Sequence, residues 1–448
     1  MQRPLIAVLI ASACLTLNAQ AADLIQVYQQ ALANDATYAS ARAAVSAGRE
    51  QITQGRSGLL PSIQATGQNL RNIGQFTPVN VGELGTGADG GLGLITAQNG
   101  NNHYNTYTVS LSQPLFNWGA WQTYQQSKLV QASAEATFAQ AQQDLIVRVA
   151  QAYFDVLTAQ DNLTSTQAQK VATTEQLASA KRNFEVGTQT ITDTHEAQAA
   201  YDLVVAQEFA AINDLDNKRT ALQVIIGAVP GDLSSLRQGV TLSPPEPATV
   251  DPWVNSAESQ NFAVVGAQLQ VEIARREIER NRANHMPTAN LTAASTHTYQ
   301  TALGTTENKA IGVSWSVPLF SGFAVTSKVR ETIALEDKAR SDLEATKRFA
   351  SQNARQAYLG MISGLAQVKA LEAAEVSSKS SLDSNKLGYQ VGVRINIDVL
   401  NAQKLLYSTQ RDLSKARYDT IMNGLRLKAA AGTLKVEDLG PVNALLGK

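Results

Sequence analysis

One long stretch without a helix-breaking residue constrains this fold most. Residues 120–186 contain neither Gly nor Pro, and a continuous helix of that length would extend ~100 Å. Within it, Leu145 and Ala152 belong to one series of apolar residues spaced by seven, and Val149 and Val156 belong to a second series. This spacing predicts a coiled-coil seam. Because many seam residues are small, each buries little area, and we expect several packed neighbouring helices.

The N-terminal segment has the pattern of an export signal. Arg3 precedes an apolar run, and a small-residue cleavage site ends at Ala21. We therefore expect residues 1–21 to be a secretory signal peptide. The single cysteine, Cys14, lies in this segment, so the mature chain would contain no disulfide and no thiolate metal site. Lipid attachment at Cys14 is the alternative reading of the same segment.

Four segments carry no Asp, Glu, Lys or Arg. They are 57–70, 104–127, 286–306 and 310–327. Apolar residues alternate with small ones in these segments, as where Ile311, Val313 and Trp315 alternate with Gly and Ser, which predicts strands with two unlike faces. Such strands are typical of a wall between lipid and water, whereas an ordinary half-buried sheet usually carries charge on its wet face. Four strands are too few to close a barrel, so we expect an oligomer.

Aromatic residues follow the predicted strands and suit a membrane interface, although ordinary packing is the alternative. The residues concerned are Phe116, Trp118, Trp121, Phe320 and Phe323. The connection 75–105 is rich in glycine and lacks Lys and Arg, which favours an exposed hairpin loop.

The chain also repeats itself. Pro114-Leu115-Phe116 recurs as Pro318-Leu319-Phe320, and Val186-Gly187 recurs as Val391-Gly392. The predicted segments are a signal peptide (1–21), a first repeat (22–230), a Pro-rich linker (231–252), a second repeat (253–432) and a C-terminal tail (433–448). Within the first repeat we expect a helix, strands at about 57–72 and 104–117, a long helix at about 118–186 and a helix at 188–227. Within the second we expect a helix, strands at about 286–300 and 309–322, and helices at 323–388 and 393–431.

Charge and motifs exclude several functions. The chain has 37 basic and 38 acidic residues, without the basic domain expected of a nucleic-acid-binding protein. His195-Glu196 begins like the zinc-protease motif H-E-x-x-H, but residue 199 is Ala. There is no P-loop and no G-x-S-x-G motif. We therefore predict no enzyme, no catalytic residue, no cofactor and no resident metal.

Ordered segments in both repeats resemble the TolC family, the outer-membrane exit ducts of Gram-negative efflux and type I secretion machines. The matching segments include 24–31, 56–61, 152–157, 167–170, 186–193 and 389–400. The resemblance covers essentially the whole mature chain. It implies a homotrimer in which three chains contribute four strands each to one 12-stranded outer-membrane barrel. A long α-helical barrel, a periplasmic coiled-coil tunnel, would continue it, with the linker and C-terminal tail forming an equatorial region.

The resemblance also implies a periplasmic gate. The turns at Gly187 and Gly392 would be its hinges, and the helices that follow them would close the periplasmic end. The polar links implied for the closed state are Tyr389 with Asp193, and Arg394 with Thr192 and Asp193.

Asp398 would line the constriction as a ring of three like charges, which selects cations and can bind a blocking cation. The family usually has a second acidic ring where this chain has Asn401, so we expect weaker block by divalent cations. Without the resemblance, Asp193 and Asp398 are better explained as helix-start residues, because Asp just after a turn caps a helix.

The implied function is a passive channel in outer-membrane lipid of a Gram-negative bacterium, reaching into the periplasm. Its implied partners are a periplasmic adaptor (membrane fusion) protein and an inner-membrane RND, ABC or MFS transporter. Drugs, small molecules or proteins would be the cargo, chosen by the transporter. The alternative is a periplasmic coiled-coil scaffold or adaptor without a pore, but a scaffold has no need of four charge-free strands.

Overall fold

The computed structural model describes residues 21–72, 102–237, 239–300 and 304–447. Nearly all of the expected signal peptide, Cys14 and most of the glycine-rich connection lie outside these residues. The helices are α1 (Leu24–Asn34), α2 (Ala36–Ser57), α3 (Trp118–Glu185), α4 (Ile191–Ile226), α5 (Val250–Gln260), α6 (Phe262–Arg282), α7 (Ala324–Gln390), α8 (Asn396–Ala430) and α9 (Leu439–Ala444). The strands are β1 (Ser62–Asn72), β2 (Asn102–Phe116), β3 (Thr288–Gln300) and β4 (Gly304–Ser316).

Elements in the two halves of the chain correspond in order and length. Each half runs through a short helix, a longer helix, two strands, a very long helix and a shorter helix. The very long helices α3 and α7 contain 68 and 67 residues, and α4 and α8 contain 36 and 35. Among the described residues, no helix combines the length and the apolarity needed to cross a membrane.

The first strand begins later than the sequence indicates. Helix α2 continues to Ser57, and the backbone N–H groups of Leu59 and Leu60 then close the turn that ends the helix. Strand β1 therefore begins at Ser62 and not at residue 57.

The fourth strand is shifted relative to the predicted range, 309–322. It runs from Gly304 to Ser316 and ends before Pro318, which has no N–H to donate to a ladder. The predicted start at 309 is too late, because the segment around Glu307, predicted as a connection, lies on the strand, where Glu307 pairs with Lys309.

The chain divides into two units. The first comprises the described parts of 1–46, 133–268 and 342–448, and the second comprises 47–132 and 269–341. In the first unit, Leu145, Val149 and Val156 of α3 are buried in the largest apolar core, while Phe138 and Ala152 are partly buried against it. Both series of apolar residues spaced by seven thus contribute to one core. Residues of α1, α4, α8 and the C-terminal segment also pack in this core.

The second unit contains a four-stranded antiparallel sheet in the order β1-β2-β3-β4. Its register places Ile63, Leu111, Ala293 and Ile311 side by side, so these side chains share one face. We call this the apolar face; it also carries Val313 and Trp315 of β4, both strongly exposed.

The opposite face, which we call the polar face, carries mainly hydroxyl and amide groups. Thr66, Thr108, Thr296 and Asn308 lie side by side on it, and the Oγ1 atoms of Thr108 and Thr296 are 3.1 Å apart in a hydrogen bond. Each strand therefore separates an apolar surface from a wettable one, as the alternation in the sequence predicts.

The two outer strands have open edges. Within the described residues, β1 pairs only with β2 and β4 pairs only with β3. An exposed edge of 11 to 13 residues presents unpaired backbone groups that favour pairing with another strand.

Candidate functional site

The turn between α3 and α4 is built by a left-handed glycine and a capping pair. Gly187 has a φ of 73°, and both the N–H and the hydroxyl of Thr188 donate to the Asn183 carbonyl at 2.9 Å. The carboxylate of Asp193 accepts from the hydroxyl of Thr190 at 2.7 Å and from its N–H at 3.1 Å. Asp193 thus acts as the acidic partner of a capping box, which is the helix-start role. Because of this cap, α4 begins at Ile191 rather than at 188.

The turn between α7 and α8 repeats this design. Gly392 has a φ of 79°, and the Val393 N–H donates to the Gly388 carbonyl at 2.9 Å. The Oδ2 atom of Asp398 accepts from the Ile395 N–H at 3.4 Å and lies 3.7 Å from Nη1 of Arg394. Asp398 is therefore also engaged within its own turn.

Tyr389 connects the two turns, but not to the expected partner. Its hydroxyl lies 2.6 Å from Nε2 and 2.9 Å from Oε1 of Gln189, and 3.4 Å from Nδ2 of Asn183. Within the described part of one chain, Tyr389 makes these contacts, while Oδ2 of Asp193 serves its own cap. The pairing of Tyr389 with Asp193 stays a prediction for the assembled gate.

The expected pairing of Arg394 also differs within one chain. Its guanidinium lies against Asp398, four residues further on, and not against Thr192 or Asp193 among the described residues. Arg394 lies in the turn just before α8 and Asp398 in the first turn of the helix, so this pair forms within one chain. Thr192 is exposed.

Asn396, which the sequence did not single out, makes the most buried polar contacts near the two turns. Its side chain is 0 % exposed. Oδ1 accepts from Nε2 of Gln176 at 2.5 Å, and Nδ2 donates to the Asp193 carbonyl at 3.0 Å. We call these two hydrogen bonds the Asn396 link; it joins the start of α8 to both α3 and α4. An Asn directly after a turn looks like a cap in the sequence, and only the packing of three helices reveals its burial.

A line of polar contacts continues this link along α3 and α8, which run antiparallel. Farther from the turns, Arg411 donates to Gln169 at 3.3 Å and Tyr418 donates to Asp161 at 2.8 Å. Burial raises the pKa of Asp161 above its usual value, although the hydrogen bond from Tyr418 opposes this shift. Burial likewise lowers the pKa of Arg411.

Asp398 and Asn401 lie on the first turns of α8. Asp398 is half-buried and Asn401 is exposed. Among the described residues, no group of three or more His, Cys, Asp or Glu side chains is arranged to hold a metal ion. A cation site at Asp398 would therefore need carboxylates from several chains.

The aromatic residues around the sheet present exposed rings. Phe116 follows a β-bulge that places it opposite Ala289, whose other neighbour is Trp315, so that Phe116 joins the apolar face. Phe320 and Phe323 stack edge to face with ring centroids 5.5 Å apart.

Phe323 also has a φ of 64°, a left-handed conformation that a phenylalanine adopts only at an energetic cost. On α3, Trp121 is 42 % exposed beside Tyr124, and Trp118 is half-buried.

Comparison with known proteins identifies the family. The family model described as outer membrane efflux protein matches residues 27–228 and 253–433. The outer membrane protein TolC of Salmonella enteritidis is 33 % identical over 442 residues, covering 96 % of this chain and 86 % of the relative. The alkaline protease secretion protein AprF of Pseudomonas aeruginosa is 32 % identical over 439 residues, covering 95 % and 88 %.

Solved structures show the same fold. The crystal structure of the outer membrane protein VceC from Vibrio cholerae superposes with a TM-score of 0.76 at 18 % identity, covering 91 % of this chain and 96 % of that one. The resemblance seen in the sequence is thus confirmed, and the chain belongs to the outer membrane efflux protein family, with TolC among its relatives.

Proposed function

We propose that the chain is an outer-membrane exit duct that passively conducts cargo of efflux or type I secretion systems. The observation that carries this proposal is the sheet: one face is apolar, the other is lined by hydroxyl and amide groups, and both edges are open. Such a sheet suits lipid on one side and water on the other. A family model named for efflux and a relative named for secretion of an alkaline protease support both kinds of cargo.

The assembly that completes this sheet is a homotrimer. Three copies would supply 12 strands, β4 of each pairing with β1 of the next, which removes every open edge. The helices would form a periplasmic coiled-coil tunnel. The corresponding helix lengths of the two halves, and the two separate matches to one family model, support an internal duplication with repeats at 22–230 and 253–432.

The remaining segments take roles in this assembly. Residues 1–21 would be removed as a signal peptide, and 231–252 and 433–448 would form the equatorial region. The five aromatic residues, Phe116, Trp118, Trp121, Phe320 and Phe323, would lie at the membrane interface, since most of their rings are exposed in the single chain.

The gate lies at the two turns. Gly187 and Gly392 would be hinges, because each already adopts a left-handed conformation with open space around it. Thr192, Asp193, Tyr389 and Arg394 would face neighbouring chains or the neighbouring turn in the closed trimer. Three copies of Asp398 would form the cation-selective ring, and Asn401 would weaken block by divalent cations.

Partners would open this gate by binding the untwisted state more tightly. Exposed apolar side chains at both turns, among them Val186, Val391 and Val393, offer a surface for a periplasmic adaptor that docks an inner-membrane transporter. The proposal includes no catalytic step.

The test is electrical and uses the purified assembly. Trimers in planar bilayers should conduct, select cations and lose most of that selectivity in Asp398→Asn. The matched control is Asp251→Asn, which removes an exposed carboxylate from α5 far along the chain. Recovery of the chain as a periplasmic monomer on fractionation would refute the channel, and unchanged selectivity of Asp398→Asn would refute the ring.

A further inference from the structure

Every charged or histidine residue of the described strands lies on the apolar face. These residues are Arg71, His103, His297, Glu307 and Lys309. The register places Arg71 opposite His103, and His297 opposite both Tyr107 and Glu307, in the same alternating set as Ile311. The described polar face carries none. If these charged residues served only to line the water-filled pore, they would lie on the polar face and not on the apolar face.

The charged residues occupy one end of that face. On β4 the apolar residues Trp315, Val313 and Ile311 come first from the helix end, and Lys309 follows on the side of the hairpin connection. On β1 the first charged residue from the same end is Arg71, near the end of the strand. We call Arg71, His103, His297 and Lys309 the basic rim.

The rim crosses the sheet diagonally. Lys309 is level with Val109 of β2, whereas Arg71 is level with His103. That offset of about six residues is ~20 Å along the strands, across three strand spacings that total ~14 Å. The line of the rim is therefore inclined by about 55° to the perpendicular of the strands, about 10–20° more than the ~35–45° tilt of strands in membrane barrels. Strands tilted in the same sense would bring the rim to within about 10–20° of the membrane surface.

We propose that the basic rim binds phosphate groups of the outer-leaflet lipid. This inference rests on the proposed membrane barrel. Below the rim, after one polar residue each on β1, β2 and β3 (Asn69, Asn105 and Ser295), the same face is apolar. A molecule that covers both regions must therefore have an apolar part beneath an anionic head. A phosphorylated membrane lipid has that chemistry, whereas free phosphate lacks the apolar part.

Glu307 opposes this attraction. It is the one carboxylate on the described strands, and it lies 2.8 Å from Nζ of Lys309. We therefore expect substitutions of Glu307 and Lys309, two residues apart on one strand, to change lipid binding in opposite directions. Removing Lys309 should weaken lipid binding, and removing the charge of Glu307 should strengthen it.

The experiment counts lipids bound to the purified trimer by native mass spectrometry during titration. The probes are bis-phosphorylated lipid A, dephosphorylated lipid A and inorganic phosphate. A Lys or Arg near a membrane surface contributes a factor of about 5 in binding, so the double variant Arg71→Gln/Lys309→Gln should bind phosphorylated lipid A about 10- to 30-fold more weakly. Glu307→Gln should bind it up to about 5-fold more tightly.

The matched control is Arg330→Gln/Lys379→Gln, which removes two exposed cations from α7 and should leave lipid binding unchanged. Equal binding of phosphorylated and dephosphorylated lipid A, or equal effects of the rim and control variants, would overturn the inference while the channel still conducts. Competition by millimolar inorganic phosphate as strong as that by the lipid would also overturn it. A wild-type chain that inserts into no bilayer would instead refute the proposed function itself.

Discussion

Replacing Asn396 by Ala tests whether the Asn396 link holds the gate closed. The substitution removes two hydrogen bonds at once, from Gln176 at 2.5 Å and to the Asp193 carbonyl at 3.0 Å. The Asn396 side chain is 0 % exposed, whereas its partner residues Gln176 and Asp193 are half-buried. We expect α8 to separate more readily from α3 and α4.

The magnitude follows from those two orphaned groups. A buried polar group left without a partner costs about 1–3 kcal/mol. Because Gln176 and Asp193 are half-buried, we take the lower part of this range, and two such groups cost about 2–4 kcal/mol together. If opening restores both groups to water, the ratio of open to closed states rises by a factor of about 30 to 1000 per chain.

Single-channel recording measures this ratio directly. Trimers of Asn396→Ala in planar bilayers should show larger or more frequent open conductance than wild type. Asn385→Ala is the matched control, because Asn385 is half-buried and bonds only to Ser381 of its own helix among the described contacts. Wild-type conductance in Asn396→Ala, with correctly assembled trimers, would refute the reasoning.

Three further predictions follow from individual contacts. Tyr389→Phe removes the bond to Gln189 and should open the channel less than Asn396→Ala, because this more accessible bond is worth about 0.5–1.5 kcal/mol; the same recordings compare the two variants. Burial raises the pKa of Asp161, so between about pH 3.8 and the raised pKa the folded chain keeps a proton that the unfolded chain has lost. The free energy of unfolding should therefore fall as the pH rises through this range. Thermal unfolding measured against pH should show a smaller fall for Asp161→Asn. Gly432→Ala should destabilise the fold far more than Gly392→Ala. Both glycines have a positive φ, but of these two only at Gly432 would an added Cβ meet backbone, 2.3 Å from the Gln260 carbonyl oxygen. Chemical denaturation compares the two variants, and equal losses of stability would contradict the steric argument.

The sequence predicts the long helices and the two-faced strands because both depend on local pattern. Helix α3 contains no Gly or Pro after residue 119, so no helix-breaking residue ends it before Gly187. The alternation of apolar and small residues in β4 assigns Ile311 and Trp315 to one face. The ends of helices and strands are less predictable where a turn interrupts the sequence pattern. At Ser57 the helix continues into a segment that the absence of charge had assigned to the strand.

Contacts between helices cannot be predicted from the local sequence pattern. The partner of Tyr389 depends on the relative register of two turns about 200 residues apart, and local pattern does not decide between Gln189 and Asp193, which lie four residues apart. Asn396 was missed for the same reason: its residue type suits a cap, and its burial comes from Gln176 on another helix. The charge distribution on the sheet is not evident from the sequence either, because Glu307 falls in the predicted connection and only the strand register places Lys309 and Arg71 on the same face.

The two readings of Asp398 can be separated by its own hydrogen bonds. The contacts with Ile395 and Arg394 both use Oδ2, so the turn does not require the second carboxylate oxygen. Asp398→Asn keeps an oxygen that can accept from the Ile395 N–H while removing the charge, whereas Asp398→Ala removes both. If the residue serves only the turn, Asn should preserve cation selectivity and Ala should mainly lower stability. If three carboxylates line the pore, both variants should lose selectivity, and Asn should do so without a comparable loss of stability.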